Sequence, residues 1–159
     1  MTTIAYRDGV IAADTGLTLG SSRTICTVTK IARNSKGDLV GVCGGATFGG
    51  QFLTWFVNGE ELSKRPSFEK DEDRTIVIRR NGEIEIHEVG GFYPIPKAPY
   101  FAIGAGRHEA LGAMFVGADA ETAVRAAMAH DPSTFGEVMV LHHPPYAERQ
   151  PNGDSKIIR

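Results

Sequence analysis

Thr2 is the residue whose position gives it the most chemistry. It follows Met1, and a small second residue is the setting in which a methionine aminopeptidase removes the initiator and leaves a free α-amine. A threonine hydroxyl alone is a poor nucleophile. With the amine unblocked, a base of ordinary pKa about 7.7 to 8.0 sits on the same residue, within reach of the hydroxyl proton. One residue then supplies both attacker and proton acceptor. Met-Thr on its own is an ordinary start to a chain, so other residues must carry the reading.

The remaining reactive residue types are less organised. Cys26 and Cys43 form neither a CxxC pair nor a metal-ligand cluster and read as two reduced, largely buried thiols. His142-His143 lies beside Pro144-Pro145 without spaced Cys, Asp or His partners, so no metal is expected. His87 and His108 read as surface or core histidines. Gly104-Ala105-Gly106 lacks the third glycine and the βαβ frame of a dinucleotide loop, so no cofactor is expected either.

The chemistry needs a scaffold, and 159 residues suffice for one core and one domain. A content of 42% hydrophobic and 23% charged residues is that of a globular chain, with no apolar run long enough to span a membrane. A net charge of −2 without a dense Lys/Arg cluster argues against a nucleic-acid partner. The N-terminus lacks the basic flank and apolar stretch of a secretory signal, which points to the cytoplasm.

Thr3 to Tyr6 and Val10 to Ala13 flank Arg7-Asp8-Gly9, a hairpin signal. Thr24 to Ala32 alternates as a strand, turns at residues 34–38 and returns through Leu39 to Cys43. Gly44-Gly45 ends that strand, and residues 51–57 have the spacing of a helix stopped near Asn58-Gly59. Glu60 to Asp73 reads as a solvated connection whose acidic run needs no functional explanation. A hairpin on Asn81-Gly82 joins Thr75–Arg79 to Glu83–His87, residues 90–99 read as a loop, and Tyr100 to Ile103 as a buried strand. Two helices, 108–115 and 120–129 with Asp119 as cap, precede a last strand at 137–141. Paired strands and blocked helices favour an α+β chain of two stacked antiparallel sheets flanked by helices. The tail, residues 143–159, carries Pro144, Pro145, Pro151 and Gly153 and reads as weakly ordered or partner-docked.

Thr2-Thr3-Ile4-Ala5, Gly9-Val10-Ile11-Ala12-Ala13-Asp14, Lys30 and Gly44-Gly45-Ala46 together resemble the opening of proteasome β subunits and bacterial HslV peptidase. The likeness covers about residues 2 to 142. It implies the four-layer αββα sandwich of N-terminal nucleophile hydrolases and a catalytic group of Thr2, Asp14 and Lys30. The physics is coherent: an ammonium favours the deprotonated hydroxyl and depresses the amine pKa, while Asp14 keeps Lys30 charged and oriented. The amide of Gly44, at a strand-to-helix junction, is suited to a developing oxyanion. The resemblance further implies substrate contacts at Thr18, Val42, Gly44 and Gly45, with Val42 lining a pocket for a modest apolar side chain.

Departures from the family pattern are equally specific. Ala105 stands where the family has the serine of Gly-Ser-Gly, which implies slower or water-mediated proton transfer. Residues 131–136 resemble its Asp-x-x-Ser-Gly-Gly, so Asp131 and Thr134 join the implied catalytic set, with Phe135 in place of a glycine; read locally they form a helix-ending turn. The first hairpin is shorter than usual, and the segment before Thr75 lacks the family's second long helix. The implied activity is threonine-type peptidase action on peptide or unfolded protein in a homo-oligomeric ring, with an ATP-dependent unfoldase as candidate partner. A small-amide amidohydrolase and an inactive scaffold-type subunit stay open as alternatives.

Overall fold

The chain enters through a tight hairpin, β1 (Thr3–Arg7) and β2 (Val10–Asp14), whose turn residues Asp8 and Gly9 both have positive φ, 50° and 79°. That backbone is the one a two-residue antiparallel turn demands. This is a computed structural model; it describes residues 1–144 in full, together with the backbone of Ala147–Arg149 and Ser155–Ile157. The strands that follow are β3 (Gly16–Leu19), β4 (Ser22–Thr27), β5 (Ile31–Arg33) and β6 (Leu39–Cys43), leading into helix α1 (Ala46–Val57). After a single 3₁₀ turn come β7 (Arg74–Ile78), β8 (Ile84–Glu88), β9 (Gly91–Ile95) and β10 (Tyr100–Gly104). Helices α2 (Arg107–Phe115) and α3 (Ala120–His130) precede β11 (Val138–His142), and the short strands β12 (Ala147–Arg149) and β13 (Ser155–Ile157) pair with each other.

Two larger antiparallel sheets result, of strand order β10-β1-β2-β11 and β5-β6-β7-β8-β9, beside the two-stranded pairs β3-β4 and β12-β13. Alternation along each strand decides which layer each side chain joins. Ile4 and Tyr6 of β1, Ile11 and Ala13 of β2, Leu39 and Cys43 of β6, and Ile76 and Ile78 of β7 fill the space between the sheets. Ala5, Ala12 and Ala102 face the other way onto Ala110, Met114, Ala123 and Val124 of α2 and α3. Small residues let those helices approach the first sheet closely. On the far side Val40, Val42 and Val77 meet Phe48, Phe52, Trp55 and Phe56 of α1. The four layers are those expected, helices over sheet over sheet over helix. Gly41 marks where the sheets press together, since a Cβ there would lie 2.6 Å from Ile4 Cγ2.

The structure corrects several local readings. The stretch expected as one strand from Thr24 to Ala32 divides: β4 folds back on β3 as a two-stranded ribbon through a turn at Gly20, and only β5 joins the second sheet. Alternation was present in the sequence, but the ribbon leaves nearly all of β4 in solvent, Ile25 included. Cys26, on that ribbon, is exposed and not buried; Cys43 is buried, and both are free. Residues 90–99 contain a strand, β9, at the edge of the second sheet, where Pro94 costs no ladder bond to an outer neighbour. Helix α1 begins at Ala46, earlier than residue 51. The acidic connection is not merely solvated: Glu60 pairs with Arg79, and Asp73 is buried. Asp119 does cap α3, accepting from the Thr122 amide at 2.7 Å. His143 docks by donating its amide to Gly9 O, while Pro151 and Gly153 of the expected tail lie outside the described residues.

Candidate active site

Asp14 ends β2 between two paired strands, fully buried, its neighbours in register being Val138 on β11 and, one step earlier, Ala13 opposite Ile4. A carboxylate in that position must be satisfied by donors that the fold delivers. Oδ1 accepts the Thr3 amide at 2.9 Å, and Oδ2 accepts the amides of Gly16 and Phe135 at 3.3 and 3.2 Å. The fourth donor is the Lys30 ammonium, 2.9 Å from Oδ2. Lys30 itself is 5% exposed and is fixed at its backbone, where its carbonyl accepts the Val42 amide at 2.9 Å. It lies in the connection just before β5 instead of within a strand.

Burial pushes the Lys30 pKa below its ordinary 10.5, with the charge of Asp14 and the hydrogen bond to it offsetting part of that. Removing an ion pair from water costs several kcal/mol per ion, and three backbone amides on Asp14 recover part of this. The arrangement holds a cation that solvates poorly at one fixed place.

Thr2 precedes β1, 5% exposed, with both polar atoms of its peptide link to Thr3 engaged. Its carbonyl accepts the Ala105 amide at 2.7 Å, and the following Thr3 amide is the one held by Asp14. The Lys30 ammonium also donates to the Met1 carbonyl at 3.4 Å, which places it beside the Thr2 nitrogen. Thr2, Lys30, Val42, Gly44, Gly45 and Thr18 all line one cavity of about 390 Å³. A second cavity, of about 760 Å³, adjoins it along Thr2, Thr18, Gly44 and Gly45 and extends to Ala105.

Gly44 has φ +114°, a left-handed conformation that only glycine adopts without strain. Its amide makes no hydrogen bond among the described residues. The neighbouring Gly45 amide, at the N-cap of α1, donates to Asp73 Oδ1 at 2.9 Å. Asp73 was missed in the sequence because its partner is 28 residues away in the chain.

Asp131 and Thr134 do not reach the cavity. The Thr134 hydroxyl is fully buried, donates to Asp131 Oδ2 and bonds the Thr3 hydroxyl at 2.6 Å, while Gly106 donates its amide to that same Thr3 oxygen at 3.0 Å. With the Thr134 proton committed to Asp131, Thr3 donates to Thr134, so the chain runs from Gly106 through two hydroxyls to a carboxylate. These residues brace the start of β1. The same segment also makes the local turn read from its composition, with Ser133 N on Asp131 Oδ1.

No protein-family profile and no curated protein matches the sequence. Solved structures do match. Thiobacillus denitrificans BPH is similar over 91% of this chain and 99% of that one, at 20% identity and a TM-score of 0.63. The same protein in complex with epoxomicin is 21% identical over the same shares, with a TM-score of 0.60. Eukaryotic HslV from Trypanosoma brucei is 18% identical over 89% of this chain and 99% of that one, at 0.63. The chain has the HslV-like N-terminal nucleophile hydrolase fold. Within that HslV-like frame, the strand that carries Asp14, the connection that carries Lys30 and the turn of Gly44-Gly45 all converge on Thr2. No helix among the described residues is long and apolar enough to cross a membrane.

Proposed function

We propose that the chain is a threonine-type peptidase whose nucleophile is Thr2 after removal of Met1. The observation that carries this reading is the buried Lys30–Asp14 pair, 2.9 Å apart, with its ammonium beside the Thr2 nitrogen at the wall of a cavity. In the reaction the Thr2 Oγ attacks the peptide carbonyl carbon and its proton passes to the free α-amine. The charge that develops on the carbonyl oxygen meets the Gly44 amide. Lys30, poorly solvated and held by Asp14, favours the alkoxide and keeps the amine unprotonated in the resting site. Collapse breaks the C–N bond; the proton held on the α-ammonium goes to the leaving amine, and an ester on Thr2 remains. Water, deprotonated by the same amine, hydrolyses that ester and regenerates Thr2.

Thr18, Val42 and Gly45 complete the walls of the cavity that receives substrate, and the apolar face of Val42 suits a modest apolar side chain. Asp131 and Thr134 act through Thr3 by holding the start of β1 in place. Ala105 supplies no hydroxyl, so protons move at the amine directly or through water. Fold likeness extends the reading to a self-compartmentalising homo-oligomer that takes peptide or unfolded protein, and an ATP-dependent unfoldase is the partner class such a ring would take; the N-terminal composition supports a cytoplasmic setting.

Mass spectrometry tests the mechanism directly. The purified protein is expected to lack Met1 and to gain one adduct of epoxomicin, the ligand of the Thiobacillus complex, on Thr2; Thr2→Ala is expected to gain none. Full retention of Met1, or peptide hydrolysis undiminished in Thr2→Ala, overturns the proposal.

A further inference from the structure

We infer that Asp73 is a positioning residue for the oxyanion donor, an inference that rests on the peptidase reading and assigns a role to the acidic connection before β7. The β6–β7 register pairs Cys43 with Arg74, so the next step of each strand brings Gly44 opposite Asp73. Asp73 is 3% exposed, and its own amide closes a turn onto Lys70 O at 3.0 Å. That turn packs on Gly44 so closely that a Cβ at Gly44 would meet the Asp73 carboxylate and lie 2.8 Å from its Cα.

The carboxylate then takes the Gly45 amide at 2.9 Å, the first donor of α1. Helix α1 has no side-chain cap of its own and no acidic residue in its first turn, so Asp73 provides an acceptor there from the connection before β7. Fixing the Gly45 amide fixes the plane of the Gly44–Gly45 link, and the close packing of Asp73 on Gly44 holds the dihedrals of that glycine, so the Gly44 amide, which belongs to the preceding Cys43–Gly44 link, keeps its direction. Two consecutive glycines would otherwise leave this turn the freest part of the site. The one donor suited to the oxyanion is thereby aimed before substrate arrives, which is the condition under which such a donor is worth most.

An acceptor is needed at this place, but its negative charge is not, because a carboxylate opposes an oxyanion nearby. Asn keeps the acceptor oxygen and removes the charge. Asp73→Ala is therefore expected to lower kcat roughly 10- to 100-fold with KM within about two-fold of wild type, and Asp73→Asn to recover most of that loss. Rates are taken per epoxomicin-labelled Thr2, so that misfolded protein does not count. Amide hydrogen exchange, which needs no activity, is expected to quicken at Gly45 in the Ala variant and to return to the wild-type rate in the Asn variant.

Unchanged exchange in Asp73→Ala, a kcat per labelled site equal to wild type, or a loss that Asn does not restore, each overturns the inference while the peptidase reading stands. A wild type with free Thr2 that neither labels nor cleaves overturns both.

Discussion

Two charge clusters in this protein, one half-buried and one buried, are built to opposite ends. Around Arg79, where the end of α1 meets β7 and β8, one guanidinium serves three carboxylates: it binds Glu85 through Nε and Nη2 at 2.9 Å each, both oxygens of Glu60, and Asp38 at 3.3 Å. His87 adds a bond to Glu85 at 2.9 Å and stacks on Phe92. Burial opposes the Arg79 charge, yet its partners outweigh this and raise its pKa. Burial likewise pushes Glu85 up, and hydrogen bonds from His87 and Arg79 bring it down to about 2. At the Lys30 site the balance reverses. One carboxylate faces one ammonium, that carboxylate is shared with three amides, and burial wins over the partner, so the Lys30 pKa falls. The comparison teaches that a structural cluster saturates its cation, whereas the candidate active site keeps its cation under-compensated and beside a cavity, where a new negative charge finds it available.

The sharpest way to break this contrast is to remove the proposed nucleophile. Thr2→Ala is expected to lose hydrolysis by about 10⁴-fold or more while changing stability by under about 1 kcal/mol, checked by peptide cleavage and by urea unfolding. Next, Lys30→Met and Arg79→Met separate the two roles. Each removes a cation from its carboxylate; Lys30→Met, at the buried pair, is expected to destabilise by about 3 kcal/mol and Arg79→Met, at the half-buried cluster, by less, but only the first should abolish kcat per folded molecule. Equal loss of turnover in both would erase the distinction drawn between the clusters.

Acid sharpens it further. Glu85 is ionised far more easily in the fold than its ordinary 4.5, so its stabilising contribution is present above about 4.5 and lost as pH falls toward 2. Unfolding free energy is expected to drop through that window in wild type and to drop less in Glu85→Gln, as followed by urea titration at stepped pH. The smallest effect is the gain of a hydroxyl: Ala105→Ser, beside the Thr2 carbonyl, is expected to raise kcat a few-fold, measured with peptide substrate, and no change would mean that protons at the amine already move freely.

Much of the frame was legible without coordinates because its signals are local. Asp8-Gly9 and Asn81-Gly82 announce their hairpins, and Asp119 its helix. The β3–β4 ribbon was not legible, since alternation in β4 states which residues could pair but not that the partner is the short strand just before it. Strand β9 was hidden by its glycines and Pro94, which an edge tolerates and an interior does not. Asp73 and Thr3 were hidden for another reason: their partners lie 28 and 131 residues away, and nothing in their neighbours marks them.

The amino-acid sequence by itself determined the types of group available: a threonine behind the first methionine, a lysine and an aspartate at a spacing of 16, and a glycine pair after a strand. Tertiary structure alone decided that Lys30 is buried against Asp14, that Asp131 and Thr134 reach Thr2 only through Thr3, and that a carboxylate from the acidic connection holds the Gly44–Gly45 turn. The physical reason is that charge, solvation and hydrogen bonding depend on distances in space, and those distances are fixed by strands that pair across the whole length of the chain.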